Sequence, residues 1–245
     1  MIKWLEDAVF YEVYPQSFRD SNGDGIGDIP GITEKLEYIQ ELGCNALWIN
    51  PCFTSPFYDA GYDVEDYYSV APRYGTNEDL KKLFEAAHQR GMHVLLDLVP
   101  GHTAVTHPWF QESMKAEKNE YTDRYVWTDS LYKRMEDVKG IVSVLRGISP
   151  RPASCGVNCF STQPALNYGF ANITDAGWQQ PTDAPGPMAT REELKNIMRF
   201  WLTLGCDGFR VDMAGSLVKN DEDKKETIRL WQDVRAFLNK EFPEA

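Results

Sequence analysis

Three segments of the chain repeat one pattern of apolar and polar positions. In each, a stretch with apolar residues at helical spacing ends in glycine, and a continuous apolar run follows within three residues. Glycine supplies the left-handed residue that commonly ends a helix, and a buried strand of a parallel sheet is typically an uninterrupted apolar run. The strands predicted in this way are ALWIN (46–50), HVLLDLV (93–99) and DGFRVDM (207–213).

Two further apolar patterns extend this series. The run VFYEVY (9–14) predicts a first strand, and residues 220–240 predict a last amphipathic helix. Thr190 with Glu193 forms a capping-box pattern, and Asn77 is the predicted N-cap of the helix before the third strand. Strands that alternate with helices indicate a parallel sheet covered by helices. The pattern therefore predicts an α/β fold of four βα units.

Residues 104–189 interrupt the alternation, because they show no sustained helical or strand period and are rich in Pro, Gly, Ser and aromatic residues. We interpret them as an irregular insertion after the third strand. A complete (β/α)8 barrel typically takes about 250 residues, yet only four strands are predicted. We therefore expect residues 1–103 and 190–245 to form the first four βα units of a TIM-type barrel, with the remainder absent.

Composition and net charge limit the kinds of molecule that the chain is expected to bind. The chain is 42% hydrophobic and 25% charged, as is typical of a globular protein. Its formal charge of −12 and the lack of a basic cluster make nucleic acid and anionic membranes poor partners. No apolar run approaches the roughly 20 residues of a membrane helix. The first residues lack the apolar segment of a signal peptide, and five cysteines fit reduced thiols. A cytoplasmic location is the expectation.

Charged residues at the end of the fourth predicted strand are the first candidates for chemistry. Ligands of parallel α/β folds meet the carboxyl ends of the strands, and alternation directs Arg210 and Asp212 to the same face. A neighbouring guanidinium favours the ionised form of a carboxylate, which is the form that nucleophilic catalysis requires. A purely structural ion pair is the alternative interpretation.

Polar residues after the second and third strands are the next candidates. His102 follows Pro-Gly at a strand end, where it can donate a hydrogen bond to a ligand hydroxyl, whereas Asp97 lies deeper in its strand and is expected to brace the barrel wall. Asp59 is framed by aromatic residues that include Tyr62. A carboxylate that binds hydroxyls beside an aromatic ring that covers an apolar face suits a sugar, although a plain surface loop is the alternative.

The loop RDSNGDGIGDIPG after the first strand carries oxygen donors in an EF-hand-like register. They are Asp20, Asn22, Asp24 and Asp28, at positions one, three, five and nine. An EF-hand needs a bidentate Glu at position twelve, where this chain has Gly31, and no helix precedes the loop. The EF-hand is therefore excluded. The loop can still bind Ca²⁺ or Mg²⁺, and a solvated acidic turn is the alternative.

Five motifs, taken in order, resemble the α-amylase family, family 13 of the glycoside hydrolases. GFRVD resembles its strand-four motif, which implies that Asp212 is the nucleophile and Arg210 its contact. DLVPGH implies a sugar-binding His102, and DAGYD implies that Asp59 and Tyr62 bind the sugar at the cleavage site. QPALNY (163–168) resembles a motif near the end of the family's inserted domain B.

The fifth motif, DSNGDGIGD, resembles the metal loop of the oligo-1,6-glucosidase branch. It implies Ca²⁺ ligands at Asp20, Asn22, Asp24, the carbonyl of Ile26, and Asp28. The resemblance as a whole implies retaining hydrolysis or transfer of α-glucosidic bonds in oligosaccharides, without an organic cofactor. Three positions depart from these patterns. Gly101 stands where the family usually has Asn, whereas Ala165 and Met213 stand where that branch often has Asp and Val or Thr. The last two bear on linkage preference.

The resemblance covers only the first half of the family's barrel. A retaining glycosidase needs a second carboxyl group about 5–5.5 Å from the nucleophile, and the family carries it on strand five. The 33 residues after Asp212 are enough for the last predicted helix but for no further strand. We therefore expect this chain to be inactive alone, as one part of a longer α-glucosidase-like enzyme. The alternative is a non-catalytic half-barrel that binds sugar or a protein partner.

Overall fold

The computed structural model describes residues 2–245 and has an α/β fold. The strands are β1 (Phe10–Val13), β2 (Ala46–Ile49), β3 (Phe53–Thr54), β4 (Asp66–Val70), β5 (His93–Leu98), β6 (Ser143–Leu145), β7 (Cys155–Val157) and β8 (Gly208–Val211). The helices are α1 (Pro15–Phe18), α2 (Ile29–Glu34), α3 (Leu36–Glu41), α4 (Asn77–His88), α5 (Pro108–Ser113), α6 (Pro185–Leu204) and α7 (Lys225–Glu241), and a short 3-10 helix, Lys3–Asp7, precedes β1. Between residues 2 and 245 no helix is long and apolar enough to span a membrane.

The central sheet is parallel and has the order β1–β2–β5–β8. These are the four predicted strands in their order along the chain, each one to three residues shorter than its apolar run. The register pairs Phe10 with Ala46, Ala46 with His93, and Asp97 with Arg210. Because the strands run in the same direction, their carboxyl ends lie along one edge of the sheet. That edge carries the residues singled out by the sequence.

Helix boundaries differ from prediction at three places. The single helix expected before β2 is divided into α2 and α3 at Lys35. The N-cap of α4 is Thr76, one residue before the predicted Asn77, and it forms a capping box with Asp79. The predicted cap at Thr190 is wrong, because this residue lies inside α6 and its hydroxyl donates to Gly186 O at 3.1 Å.

The early start of α6 has a simple physical reason. Pro185 occupies the first helical position, where the missing N–H leaves no unsatisfied donor and the restricted φ already suits a helix. The helix ends at Gly205, whose φ is 126°. Residues 185–189, which the sequence pattern assigned to the irregular segment, therefore belong to α6.

Trp201 of α6 ties this helix to a two-stranded hairpin, β3–β4, that the sequence pattern did not predict. Its side chain is fully buried, stacks on Phe53 with 5.1 Å between ring centroids, and donates Nε1–H to Tyr67 O at 2.7 Å. Truncation of a buried Trp to Ala typically costs about 3–5 kcal/mol. This contact fixes the hairpin, and with it the loop between β3 and β4, against the barrel wall.

The segment between β5 and α6 has α5 and the antiparallel pair β6–β7 as its regular elements. It contains an apolar cluster of its own, formed by Val126, Met135, Val138, Ile141, Ala165 and Phe170. Ala165 is fully buried in this cluster. The side chain at this position therefore contributes to the packing of this cluster.

Candidate active site

Arg210 connects two carboxylates at the carboxyl edge of the sheet. Its Nη1 donates to Asp97 at 3.0 and 3.1 Å and to Asp212 Oδ1 at 2.9 Å. The register places Asp97 beside Arg210 on the neighbouring strand, and Asp212 directly follows β8. The guanidinium also lies over the Trp48 ring, 4.8 Å from its centroid. Arg210 and Asp212 thus meet as the strand alternation predicts, and Asp97 braces the pair.

Asp97 is the enclosed member of this group. Its side chain has no exposed surface, and it also accepts hydrogen bonds from Trp48 Nε1 at 3.0 Å and from the Tyr62 hydroxyl at 3.2 Å. Burial raises the pKa of Asp97 to about 6, although Arg210 and the hydrogen bonds act in the opposite direction. Burial also opposes the charge of Arg210, but Asp97 and Asp212 outweigh it and raise the pKa of the guanidinium. Asp212 is the carboxylate that keeps an exposed side.

Asp63 fixes the conformation of the loop that carries Asp59. The buried Asp63 carboxylate accepts from Ser55 Oγ at 2.9 Å and from the backbone N–H groups of Tyr58 and Asp59 at 2.8 and 3.1 Å. Three hydrogen bonds to one buried carboxylate, two of them from backbone N–H groups, give the loop a defined form. Asp59 is therefore presented at the edge of the sheet by a rigid turn.

A residue of the insertion reaches the Asp59 carboxylate. Gln163 Nε2 donates to Asp59 Oδ2 at 2.7 Å, and Gln163 itself is fully buried. Burial raises the pKa of Asp59, the Gln163 hydrogen bond lowers it, and the charges of Asp63 and Asp212 raise it. The effect of Asp212 on Asp59 means that the two carboxylates lie within electrostatic range of each other. Gln163 belongs to the QPALNY motif, but the sequence assigned it no contact.

Tyr62 stands between the second strand and Asp97. Its hydroxyl accepts from Asn50 Nδ2 at 3.2 Å and donates to Asp97 Oδ2 at 3.2 Å. Burial is the main cause of a raised pKa of about 12 for this phenol, with the charge of Asp97 next. The ring is half-buried. The hydroxyl is thus used within the protein, and the ring supplies the surface that a ligand could cover.

His102 has protein partners at both ring nitrogens. Nε2 lies 2.9 Å from Tyr62 O and Nδ1 lies 3.0 Å from Asn158 Nδ2. A backbone carbonyl only accepts, so Nε2 carries the proton and Nδ1 accepts from the amide. Burial lowers the pKa of His102 to about 4, which leaves the ring neutral near pH 7. The expectation of a donor free for a ligand hydroxyl is not met, because Tyr62 O already takes that hydrogen bond.

The proposed metal loop is shaped by its own carboxylates. Asp20 accepts the backbone N–H groups of Gly25, Gly23 and Asn22, and these bonds, with that of Gly25 largest, lower its pKa. Asp24 accepts from Ile26 N at 2.8 Å. Asp20 Oδ1 accepts two of these bonds, whereas Asp20 Oδ2 and both oxygens of Asp24 accept one each and keep a second lone pair. These oxygens are of the donor type that suits a hard divalent cation. Residues 2–245 nevertheless contain no ready group of three or more acidic, His or Cys side chains at metal spacing.

Asp28, the last acidic residue of that loop, has a structural role. Its Oδ1 accepts from Gly31 N at 2.7 Å as the N-cap of α2, and its Oδ2 accepts from Ser21 N and Oγ at 3.1 and 2.8 Å. The side chain is buried. Asp28 therefore anchors the loop to the helix that follows it.

The chain matches the protein family described as "Alpha amylase, catalytic domain" over residues 12–242. It is 38% identical to an oligo-1,6-glucosidase of a Bacillus species over 219 residues, which cover 89% of this chain and 40% of that protein. It is 40% identical to the trehalose synthase/amylase TreS of Mycolicibacterium smegmatis, over 98% of this chain and 39% of that protein.

A solved structure agrees with these relatives. The trehalulose synthase MutB of Pseudomonas mesoacidophila is 32% identical and superposes with a TM-score of 0.81, over 99% of this chain and 44% of MutB. This chain therefore spans about two fifths of the length of the relatives that it matches. Because the match extends over residues 12–242, and so over almost every described residue, the chain belongs to the alpha-amylase family of glycoside hydrolases.

Proposed function

We propose that this chain supplies the nucleophile half of a retaining enzyme that acts on α-linked gluco-oligosaccharides. The observation that carries the proposal is the position of Asp212, at the carboxyl edge of the sheet and held by a guanidinium that the buried Asp97 fixes in place. The printed names of the relatives, an oligo-1,6-glucosidase and a trehalose synthase/amylase, support this substrate class. In this proposal the four βα units are the first half of a (β/α)8 barrel, and the insertion is its domain B.

Asp212 would attack the anomeric carbon. Its Oδ1 accepts from Arg210, and within residues 2–245 no side chain or backbone group hydrogen-bonds to Oδ2. Oδ2 would form the bond to the anomeric carbon while the glycosidic C–O bond breaks and an acid protonates the departing oxygen. Water would then cleave the glycosyl–enzyme ester, and the group that acted as the acid in the first step would now act as the base. Two inversions at the anomeric carbon retain its configuration.

Asp59 and Tyr62 would bind the sugar ring that is attacked. Gln163 engages Asp59 Oδ2, which leaves Oδ1 for a sugar hydroxyl, and the ring of Tyr62 offers an apolar face. His102 would support this subsite through the Tyr62 carbonyl. The charge of Asp212 acts on both Asp59 and His102, which supports a shared cleft. The Ca²⁺ loop would contribute to stability, not to chemistry.

The acid that protonates the leaving group would lie in the part of the relatives' length that this chain does not span. Two acidic residues near the sheet already have partners away from Asp212. Glu193 accepts a hydrogen bond from Tyr68 at 2.8 Å. Asp207 pairs with His88 and His93 at the opposite end of β8. Asp97 is enclosed on every side. None of these carboxyl groups can reach a ligand bound against Asp212.

The test uses a hybrid in which this chain replaces the matching first part of the Bacillus oligo-1,6-glucosidase, so that a complete barrel is assayed. Asp212→Asn should lower turnover of p-nitrophenyl α-glucoside by about 10⁴-fold or more, because it removes the nucleophile. Asp207→Asn is the matched control, with the same substitution at the other end of the same strand. The first product, followed by NMR, should be the α-anomer. Turnover that survives Asp212→Asn, or a β-anomer as first product, refutes the proposal.

A further inference from the structure

The space beside Gly101 is filled by one side chain from the insertion. A Cβ placed on Gly101 would lie 2.6 Å from Asn158 Nδ2, 3.4 Å from its Cγ and 3.7 Å from its Oδ1, and these are its three nearest atoms. Gly101 is not among the residues with positive φ, so its backbone would accept another residue. The glycine is therefore needed for the room that it leaves to Asn158, not for its conformation.

Asn158 follows β7 and is almost completely buried, with 1% of its surface exposed. Its Nδ2 lies 3.0 Å from His102 Nδ1, and its Oδ1 lies 3.5 Å from Lys219 Nζ. A lysine ammonium group can only donate, so the amide oxygen faces Lys219 and the NH₂ group faces the imidazole. The orientation of the amide is thus set by the groups on both sides of it.

Two independent contacts select the same form of His102. The Asn158 amide donates to Nδ1, and Tyr62 O accepts from Nε2, so both require a neutral ring with the proton on Nε2. We propose that Asn158 is a positioning residue that holds His102 as this tautomer beside the cleft, and that Gly101 is required to admit it. Its importance for catalysis rests on the proposed function, but the contact itself does not.

Several charged groups face His102 from the elements around it. Burial has the largest effect on the pKa of the imidazole and lowers it, Asp212 and Asp63 raise it, and Lys219 lowers it. Burial also lowers the pKa of Lys219 itself to about 7. A proton on Nδ1 would face the NH₂ group of Asn158, which cannot accept it. The amide therefore adds a specific barrier to protonation beside the general effect of burial.

The decisive variant is Asn158→Asp, which replaces the donor with an acceptor of the same shape. Long-range ¹H–¹⁵N spectra of the 245-residue chain report the tautomer and the titration of His102, and His102→Gln assigns its signals. In the wild type we expect one tautomer, protonated on Nε2, down to about pH 5. Asn158→Asp should protonate Nδ1 and raise the titration midpoint by about two pH units or more.

Asn167→Asp is the matched control. Asn167 is also buried in the insertion and uses its amide as a donor, to Asp123 O at 3.0 Å and Gln180 Oε1 at 3.1 Å. It makes no contact with His102, so this variant should leave the His102 spectrum unchanged. An equal shift in both variants would mean that added negative charge, and not the lost donor, moves the titration, and the proposal would be wrong.

A second variant avoids any change of charge. Gly101→Ala should push the Asn158 amide away from Nδ1, because the new Cβ would lie 2.6 Å from Nδ2. His102 should then show a raised midpoint, as in Asn158→Ala, and Gly101→Ala should have no further effect in the Asn158→Ala background. Folded Gly101→Ala with wild-type His102 signals overturns the proposal. These measurements need no turnover, so they stand even where Asp212→Asn shows that the proposed function is wrong.

Discussion

Substitution of Arg210 by Met tests how the carboxylate group is held. The change removes the guanidinium that bonds Asp97 at 3.0 Å and lies over Trp48, while it keeps most of the apolar stem. Asp97 is then a fully buried carboxyl group without its cationic partner. A buried acid in that position escapes its desolvation by taking a proton. The resulting loss of stability should therefore depend on pH.

The magnitude follows from the pKa of Asp97. In the wild type this pKa is raised from 3.8 to about 6, so its contribution to stability is present below pH 3.8 and is lost as pH rises to about 6, a loss of about 3 kcal/mol. The charge of Arg210 is the largest effect that lowers this pKa. Without Arg210 we expect the pKa to rise further, so that Asp97 stays protonated and the loss of stability continues as pH rises. The extra destabilisation is then close to zero at pH 5.5, about 1.4 kcal/mol at pH 7 and about 2.7 kcal/mol at pH 8. Lost hydrogen bonds and ring contact add about 1–2 kcal/mol at every pH.

Urea unfolding at these three pH values measures the difference directly. Arg199→Met is the matched control, because Arg199 also lies over an aromatic ring, that of Phe237 at 4.9 Å, and pairs with Glu241 at 2.8 Å. The Glu241 side chain is partly exposed and its pKa is lowered by Arg199, so this variant should show no pH dependence between 5.5 and 8. A loss for Arg210→Met that is equal at pH 5.5 and pH 8 would refute the role assigned to buried Asp97.

Three further predictions concern other parts of the chain. The isolated chain should not turn over an aryl α-glucoside, because the acid that protonates the leaving group would lie in the part of the relatives' length that this chain does not span; steady turnover that Asp212→Asn abolishes would show that the cleft is complete. Ca²⁺ should raise the Tm of the wild type but not of Asp24→Ala, by binding the folded loop, and thermal melts with CaCl₂ or EDTA that coincide would exclude the site. Thr76→Ala should lower the free energy of unfolding in urea by about 1 kcal/mol, because it breaks the capping box with Asp79, whereas Thr76→Ser should retain most of it.

The sequence by itself determined the features that depend on neighbours along the chain. Four apolar runs, three of which follow a helix-ending glycine, became the four parallel strands in their predicted order. Alternation along the last run put Arg210 and Asp212 on one face, and their contact at 2.9 Å follows from that spacing. Helix starts were less certain, because several residues near each end can act as a cap. The pattern at Thr190 matched a capping box, yet Pro185 begins the helix.

Only the tertiary structure decided which side chains support the candidate site. Gln163 reaches Asp59 across 104 positions of the chain, Arg210 reaches Asp97 across 113, and Asn158 reaches His102 across 56. The catalytic and sugar-binding roles of the site residues came from the resemblance and remain predictions. Local patterns report the period and the ends of an element, but they contain no information on which distant polar group fills a given buried space. That choice follows from packing and from the need to pair every buried donor and acceptor.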